Sequence, residues 1–123
     1  MLKENNKALY IQIAEGICDR VMAGTFVEGE RIPSVREYGA TLQVNANTVV
    51  RSYEYLNQEG VIYNKRGIGY FISEDAREKI EALRHETFFN GEMQTFFKRL
   101  NQLGVSPDDL YAHYVKYLEE EQK

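Results

Sequence analysis

A mostly α-helical fold with one small β-hairpin is what this sequence predicts, on three observations. Apolar residues recur at helical spacing between Ala8 and Ala23 and again between Asn45 and Gly60. A run of β-formers at 61–64 turns back through a glycine-bearing segment at 65–69 into Tyr70-Phe71-Ile72. Beyond Ser73 the pattern is helical again to the end of the 123 residues.

The elements follow in order. Leu9, Ile13, Ile17 and Val21, flanked by Tyr10, Ala14 and Cys18, form the apolar face of a first amphipathic helix, with Gly24 as its stop. Residues 25–32 contain Gly29 and read as a loop with a short extended piece. Ser34 and Glu37 have the spacing of a capping box, so a second helix starts at Pro33-Ser34 and reaches Leu42, with Val35 and Leu42 facing inward. Asn45 is a good N-cap for a third helix, in which Val49, Ser52, Tyr53 and Leu56 share a buried stripe. Only Gln43-Val44 separates the two, which makes a helix-turn-helix. The hairpin at 61–72 follows directly, and a hairpin after a helix-turn-helix is the layout of a winged helix-turn-helix.

The tail, 73–123, reads as a C-terminal helical region. A charged helix at 74–90 carries Ile80, Leu83 and Phe88, and Asn90-Gly91 breaks or kinks it. Met93, Phe96, Phe97, Leu100 and Leu103 give a wider stripe. Ser106-Pro107-Asp108-Asp109 is a helix start, with Ser at the N-cap, Pro at the first position and acids in the first turn. Leu110, Tyr111, Tyr114, Tyr117 and Leu118 follow on it. About fifty residues in two or three helices bury little on their own. The same stripes on a second copy would cover them, giving a symmetric homodimer. The expected division is 1–72 as the winged helix-turn-helix and 73–123 as the dimerisation region.

Composition bounds the function. Hydrophobic residues make up 43% and charged residues 28%, which fits a folded domain rather than a disordered chain. Met1 to Lys7 is polar, without the apolar core of a signal peptide, and no apolar run could cross a bilayer; a cytoplasmic protein with no membrane association is expected. Cys18 is the single cysteine, which rules out an intrachain disulfide or a cysteine-based zinc cluster. The net charge of −4 argues against a general polyanion binder. Residues 1–72 balance at eight basic and eight acidic, while 73–123 carry seven basic against eleven acidic. A nucleic-acid surface therefore belongs in the first part, as a local patch.

The third helix offers such a patch. Its buried stripe leaves Asn47, Thr48, Val50, Arg51 and Glu54 on other faces. Asn can bond adenine bidentately, and Arg can bond guanine or a phosphate. Thr can contact a phosphate or a thymine methyl, and the N-terminal half of this helix is what enters the major groove in the motif. Arg36, near the start of the preceding helix, is placed to grip the flanking backbone, and Lys65 and Arg66 at the hairpin tip could reach an adjacent groove. Taken singly, exposed Asn, Thr and Arg are mostly solvated side chains. Their order within two capped helices, a tight turn and a basic glycine hairpin favours DNA.

Residues 8–72 resemble the DNA-binding domain of the GntR family of bacterial transcription regulators. The resemblance rests on Leu9-Tyr10 with Gln12-Ile13, on Gly24, Gly29 and Ile32-Pro33-Ser34-Val35-Arg36-Glu37, and on Asn45-Ala46-Asn47-Thr48-Val49-Val50-Arg51-Ser52-Tyr53. It continues through Leu56, Glu59-Gly60-Val61-Ile62 and the wing Arg66-Gly67-Ile68-Gly69-Tyr70-Phe71-Ile72. The Asn-x-Asn-Thr-Val-x-Arg-x-Tyr form is similar to the YtrA-like subgroup, whose short C-terminal helices dimerise; the tail matches more loosely. The resemblance implies a homodimer on an inverted-repeat operator, usually as a repressor and often of neighbouring transporter genes, with contacts from Arg36, Asn47, Thr48, Arg51, Arg66 and Gly67. Many members carry basic residues where Ala46 and Val50 stand, and often Thr where Tyr70 stands. Gln43 replaces a usual turn glycine, so a looser turn is expected. Val50 could touch a thymine methyl or pack beneath the wing.

The candidate DNA-binding set is therefore Ser34, Arg36, Asn45, Asn47, Thr48, Val50, Arg51, Lys65, Arg66 and Gly67. The candidate dimer interface is Phe88, Met93, Phe96, Phe97, Leu100, Leu103, Leu110, Tyr114 and Leu118. Tyr111, Tyr114 and Tyr117 read as interface core, with a ligand cage as the alternative, and a small-molecule effector of unknown identity could lodge between these helices. His85 and His113 are far apart and lack ligand-like neighbours, so neither a metal nor a cofactor is expected. No nucleophile triad, phosphate loop or metalloprotease motif supports an enzyme. The alternative function is a winged-helix protein-interaction module without sequence-specific DNA binding. Salt separates the two, because DNA affinity falls steeply with ionic strength.

Overall fold

The structure, a computed structural model, describes residues 7–122. Met1 to Asn6, most of the polar N-terminal stretch, lie outside the described residues. The four-residue apolar recurrence produces α1 (Leu9–Ala23), which buries Ile13, Ala14, Ile17, Cys18 and Val21; Leu9, its first residue, stays 38% exposed. Gly24 closes it in the left-handed region, returning its N–H to the Arg20 and Val21 carbonyls.

The capping box forms as the spacing demands. The Glu37 N–H donates to Ser34 Oγ at 3.1 Å and the Ser34 N–H donates to Glu37 Oε1 at 2.9 Å, opening α2 (Val35–Leu42). Gln43 takes the left-handed conformation at the end of α2, with φ 59°. The turn is nonetheless tight, contrary to the looser turn expected from a non-glycine there: the Val44 N–H donates to the Gly39 carbonyl at 2.9 Å. The close approach in this turn falls on Gly39, one turn earlier. A Cβ on it would sit 3.1 Å from the Val44 carbonyl oxygen and 3.3 Å from Ala46 Cα. α3 (Ala46–Gln58) then starts under the Asn45 cap and buries Val49, Ser52, Tyr53 and Leu56 completely. The buried Ser52 hydroxyl is satisfied by backbone carbonyls, Tyr10 O at 2.7 Å and Thr48 O at 3.2 Å, and the first of these ties α3 to α1.

β1 (Ile62–Lys65) and β2 (Gly69–Ile72) pair antiparallel, with Ile62 opposite Ile72 and Tyr63 opposite Phe71. The free edge of β2 is taken by the extended piece before α2. Gly29 and Ile32 donate to the Ile72 and Tyr70 carbonyls, Ile72 donates to the Glu30 carbonyl, and Arg31 bridges Phe71. Val61, Ile62 and Ile72 close the core against α1 and α3. A line of aromatic contacts, Phe26 to Tyr38 to Tyr53 to Tyr70, runs from the loop through both helices into the hairpin.

α4 (Ala76–Asn90) belongs to this core at its start. Ala76 and Ile80 are fully buried. The Arg77 N–H donates to Glu28 Oε2 at 2.9 Å, and its Nη1 donates to the Val21 and Met22 carbonyls at 3.1 Å each. The first compact unit therefore runs to Leu83, past the hairpin end at Ile72 where the sequence suggested a division. The second unit, from Arg84, holds the rest of α4, then α5 (Glu92–Leu103) and α6 (Pro107–Glu121). Ser106 Oγ accepts from the Asp109 N–H at 3.1 Å, as a Ser-Pro start requires. Neither α5 nor α6 buries any residue. Among the described residues, no helix is long and apolar enough to cross a membrane.

Candidate nucleic-acid interface

The face of α3 turned from the core presents the chemistry. Asn47 and Arg51, one turn apart, are exposed, and Thr48 and Val50 are half-buried at its sides. Val50 is not among the side chains packed on the core. The buried stripe fixes how this helix is rotated, so which side chains face outward is decided by Val49, Tyr53 and Leu56.

Asn45 Oδ1 accepts the Asn47 N–H at 2.8 Å, so its carbonyl oxygen serves the helix and its amide NH2 is left as a donor. Ser34 Oγ accepts the Glu37 N–H within the capping box. The Ser34 backbone N–H, and after it the Ser34 hydroxyl, hold the Glu37 carboxyl below its ordinary value against a small opposing effect of desolvation; the Arg31 charge adds to the lowering. Arg36, beside this cap, is exposed.

Two of the basic candidates rest on aromatic rings. The Arg51 guanidinium lies 4.1 Å above the centre of the Tyr10 ring, and Lys65 Nζ lies 5.0 Å from that of Phe71. Phe71 is itself stacked on Tyr63 across the hairpin at 5.6 Å. Arg66 and Gly67 are exposed at the tip, which the Ile68 N–H closes onto the Lys65 carbonyl at 2.9 Å. All ten DNA-binding candidates lie in the first compact unit.

Two residues outside that set pack beside it. Arg31, on the strip paired to β2, lies against the hairpin backbone: a Cβ on Gly69, which has φ 145°, would come within 2.9 Å of Arg31 Nε. Its pairing with Phe71 joins segments forty residues apart, and no local pattern signals that. Tyr10 reads in sequence as the flank of an apolar face, and only the packing of α1 on α3 reveals its ring beneath Arg51. The Tyr70 side chain, where the family often has Thr, meets Tyr53 edge-on at 4.9 Å.

The second unit displays apolar surface instead. Of the nine interface candidates, Phe88, Phe96, Phe97, Leu103, Tyr114 and Leu118 are exposed, and Met93, Leu100 and Leu110 are half-buried. Phe88, Met93, Phe96, Phe97, Leu110 and Tyr114, with Phe89 and Glu92, line an open hollow of about 580 Å³.

Comparison with known proteins agrees with this fold. The family model described as bacterial regulatory proteins of the gntR family matches residues 9–72. The HTH-type transcriptional regulator YhcF of Bacillus subtilis is 31% identical over 107 residues, 87% of each chain. The HTH-type transcriptional repressor YtrA of the same organism is 33% identical over 106 residues, 86% of this chain and 72% of its own. A crystal structure of a GntR-family regulator from Bacteroides thetaiotaomicron superposes with a TM-score of 0.78 at 46% identity, covering 93% of this chain and 99% of that one. These relatives are transcription regulators, not enzymes, and the matched domain is the one that binds DNA. The chain thus belongs to the GntR family of bacterial regulatory proteins, among its YtrA-like members.

Proposed function

We propose that the chain acts in the cytoplasm as a homodimeric repressor on an inverted-repeat operator. α3 enters the major groove, with Asn47 and Arg51 reaching base edges or a phosphate and Thr48 and Val50 beside them. Ser34, Arg36 and Asn45 hold the flanking backbone, and Lys65, Arg66 and Gly67 bring the hairpin tip to the adjacent groove. The observation that carries this reading is the division of α3 into a fully buried stripe and an outward face bearing Asn47 and Arg51 under an Asn45 cap. The repressor sign is supported by the likeness to YtrA, which is itself a repressor.

Dimerisation is supported by the second unit. The end of α4 exposes Phe88 and Phe89, α5 exposes Phe96 and Phe97, and neither α5 nor α6 buries any residue of its own, so this apolar surface needs a partner. A second copy supplies the matching one under two-fold symmetry, and Phe88, Met93, Phe96, Phe97, Leu100, Leu103, Leu110, Tyr114 and Leu118 form the contact. A small-molecule effector seated in the aromatic hollow would act by changing the spacing of the two reading helices. The experiment is nuclease footprinting on the chain's own upstream region, with the solution mass measured alongside. A two-fold protected site and a dimer mass support the proposal. A monomer, or no protection at low ionic strength, overturns it.

A further inference from the structure

We infer that Tyr10 is a positioning residue for DNA recognition, acting through Arg51. This rests on the reading of Arg51 as a DNA contact. Arg51 projects from the outward face of α3, and the central carbon of its guanidinium lies over the Tyr10 ring, 4.1 Å from the ring centre. An arginine has its donors in the plane of the guanidinium, so a ring against one face leaves the N–H edge free to meet a phosphate or a guanine. A long, exposed side chain otherwise samples many rotamers and loses that freedom on binding. Tyr10 removes much of the loss beforehand, because its own place is fixed by the helix pair. Its backbone carbonyl accepts the Ser52 hydroxyl at 2.7 Å, and Ser52 is the residue next to Arg51. One contact therefore locks α1 to α3 through the backbone, and the next sets the arginine through the side chain.

The tyrosine ring is half-buried and is not part of the buried core, so it can be changed without opening a cavity in it. The Ser52 bond goes to the Tyr10 main chain and survives any substitution of the ring. Glu54 and Gln58, farther along α3, border the same small hollow as Tyr10 and Arg51. Without the ring, Arg51 can turn toward Glu54, an acid three residues away on the same helix.

The test is a double-mutant cycle in the full-length protein. The probe is the duplex that the wild-type protein enriches from a randomised library, and each variant's melting temperature is measured alongside. Tyr10→Leu should weaken binding about three- to tenfold, and Tyr10→Phe should bind as wild type, since the face of the ring and not its hydroxyl does the work. Arg51→Ala should weaken binding more, and adding Tyr10→Leu to it should change nothing further. If Arg51→Ala weakens binding and Tyr10→Leu adds its full effect on that background, or has none by itself, the positioning role is overturned while Arg51 stands as a contact. If Arg51→Ala binds as wild type, the reading of Arg51 falls instead, and this inference with it. A Tyr10→Phe variant as weak as Tyr10→Leu would also overturn the proposed role of the ring.

Discussion

The Tyr53 hydroxyl donates to the Pro33 carbonyl at 2.7 Å, joining the centre of α3 to the residue before the α2 cap. Tyr53 is fully buried, with Tyr38 on one side and Tyr70 on the other. Replacing it by Phe keeps the ring and strands the carbonyl, so Tyr53→Phe should cost about 1–2 kcal/mol in urea unfolding. Burial, reinforced by Tyr38 and Tyr70, raises the Tyr53 hydroxyl above its ordinary value of 10. A raised value in the folded state means that the stabilisation is complete below pH 10 and drains away as pH rises beyond it. The gap between wild type and Tyr53→Phe should therefore narrow above pH 10; a constant gap would contradict the assignment.

The reading helix gives a sharper expectation. If Asn47 bonds adenine with both ends of its amide, Asn47→Ala should cost about 1–3 kcal/mol of operator affinity and relax preference at one base step. An operator titration that leaves both unchanged removes Asn47 from the contact set. The fold should be indifferent, because the side chain is exposed and the Asn45 cap engages only the Asn47 main chain.

Lys65 tests the sequence-independent part of binding. Its amine lies over the Phe71 ring near the hairpin tip, and the expectation is a phosphate contact. Lys65→Ala should weaken specific and unrelated duplexes alike. It should also reduce the slope of log affinity against log salt by about one unit. An unchanged slope would place Lys65 away from the DNA.

Much of the fold, and the outward face of α3, is legible in the sequence because helix caps and stripes are local. Ser34 with Glu37, Asn45 and Ser106 announce their helices within three residues, and the stripe from Val49 to Leu56 decides which way Asn47 and Arg51 face. What escaped depends on distant partners. The pairing of Arg31 with Phe71, the ring of Tyr10 under Arg51, and the burial of Ala76 and Ile80 in the first unit are contacts between separate segments. Gly39 escaped for another reason. A glycine inside a helix has several uses, and only the approach of the Val44 carbonyl shows which one applies.

The capping box predicts an acid dependence. Glu37 has its carboxyl lowered by the Ser34 N–H and then the Ser34 hydroxyl, so the folded chain favours the charged form. The contribution is complete above the ordinary carboxylate value of 4.5 and is lost as pH falls through the lowered one. Glu37→Gln keeps an acceptor oxygen and removes the charge. Its stability deficit should be present at neutral pH and close on acidification below pH 4.5. A deficit that persists unchanged in acid would mean that the charge contributes nothing.

The last expectation separates the two units. Phe97 is 42% exposed on a helix that buries nothing, so Phe97→Asp should leave the melting of the first unit almost unchanged. In the proposed dimer the same side chain is covered by the partner, and an unpaired carboxylate there is costly. The variant should sediment as a monomer. Two linked reading heads gain from the high effective concentration of the second, and a monomer forfeits that gain. Affinity for a full inverted repeat should fall by about a hundredfold or more, whereas binding to an isolated half-site should not change. Equal losses on both duplexes would point to damage in the reading head, and a variant that remains dimeric would remove Phe97 from the interface.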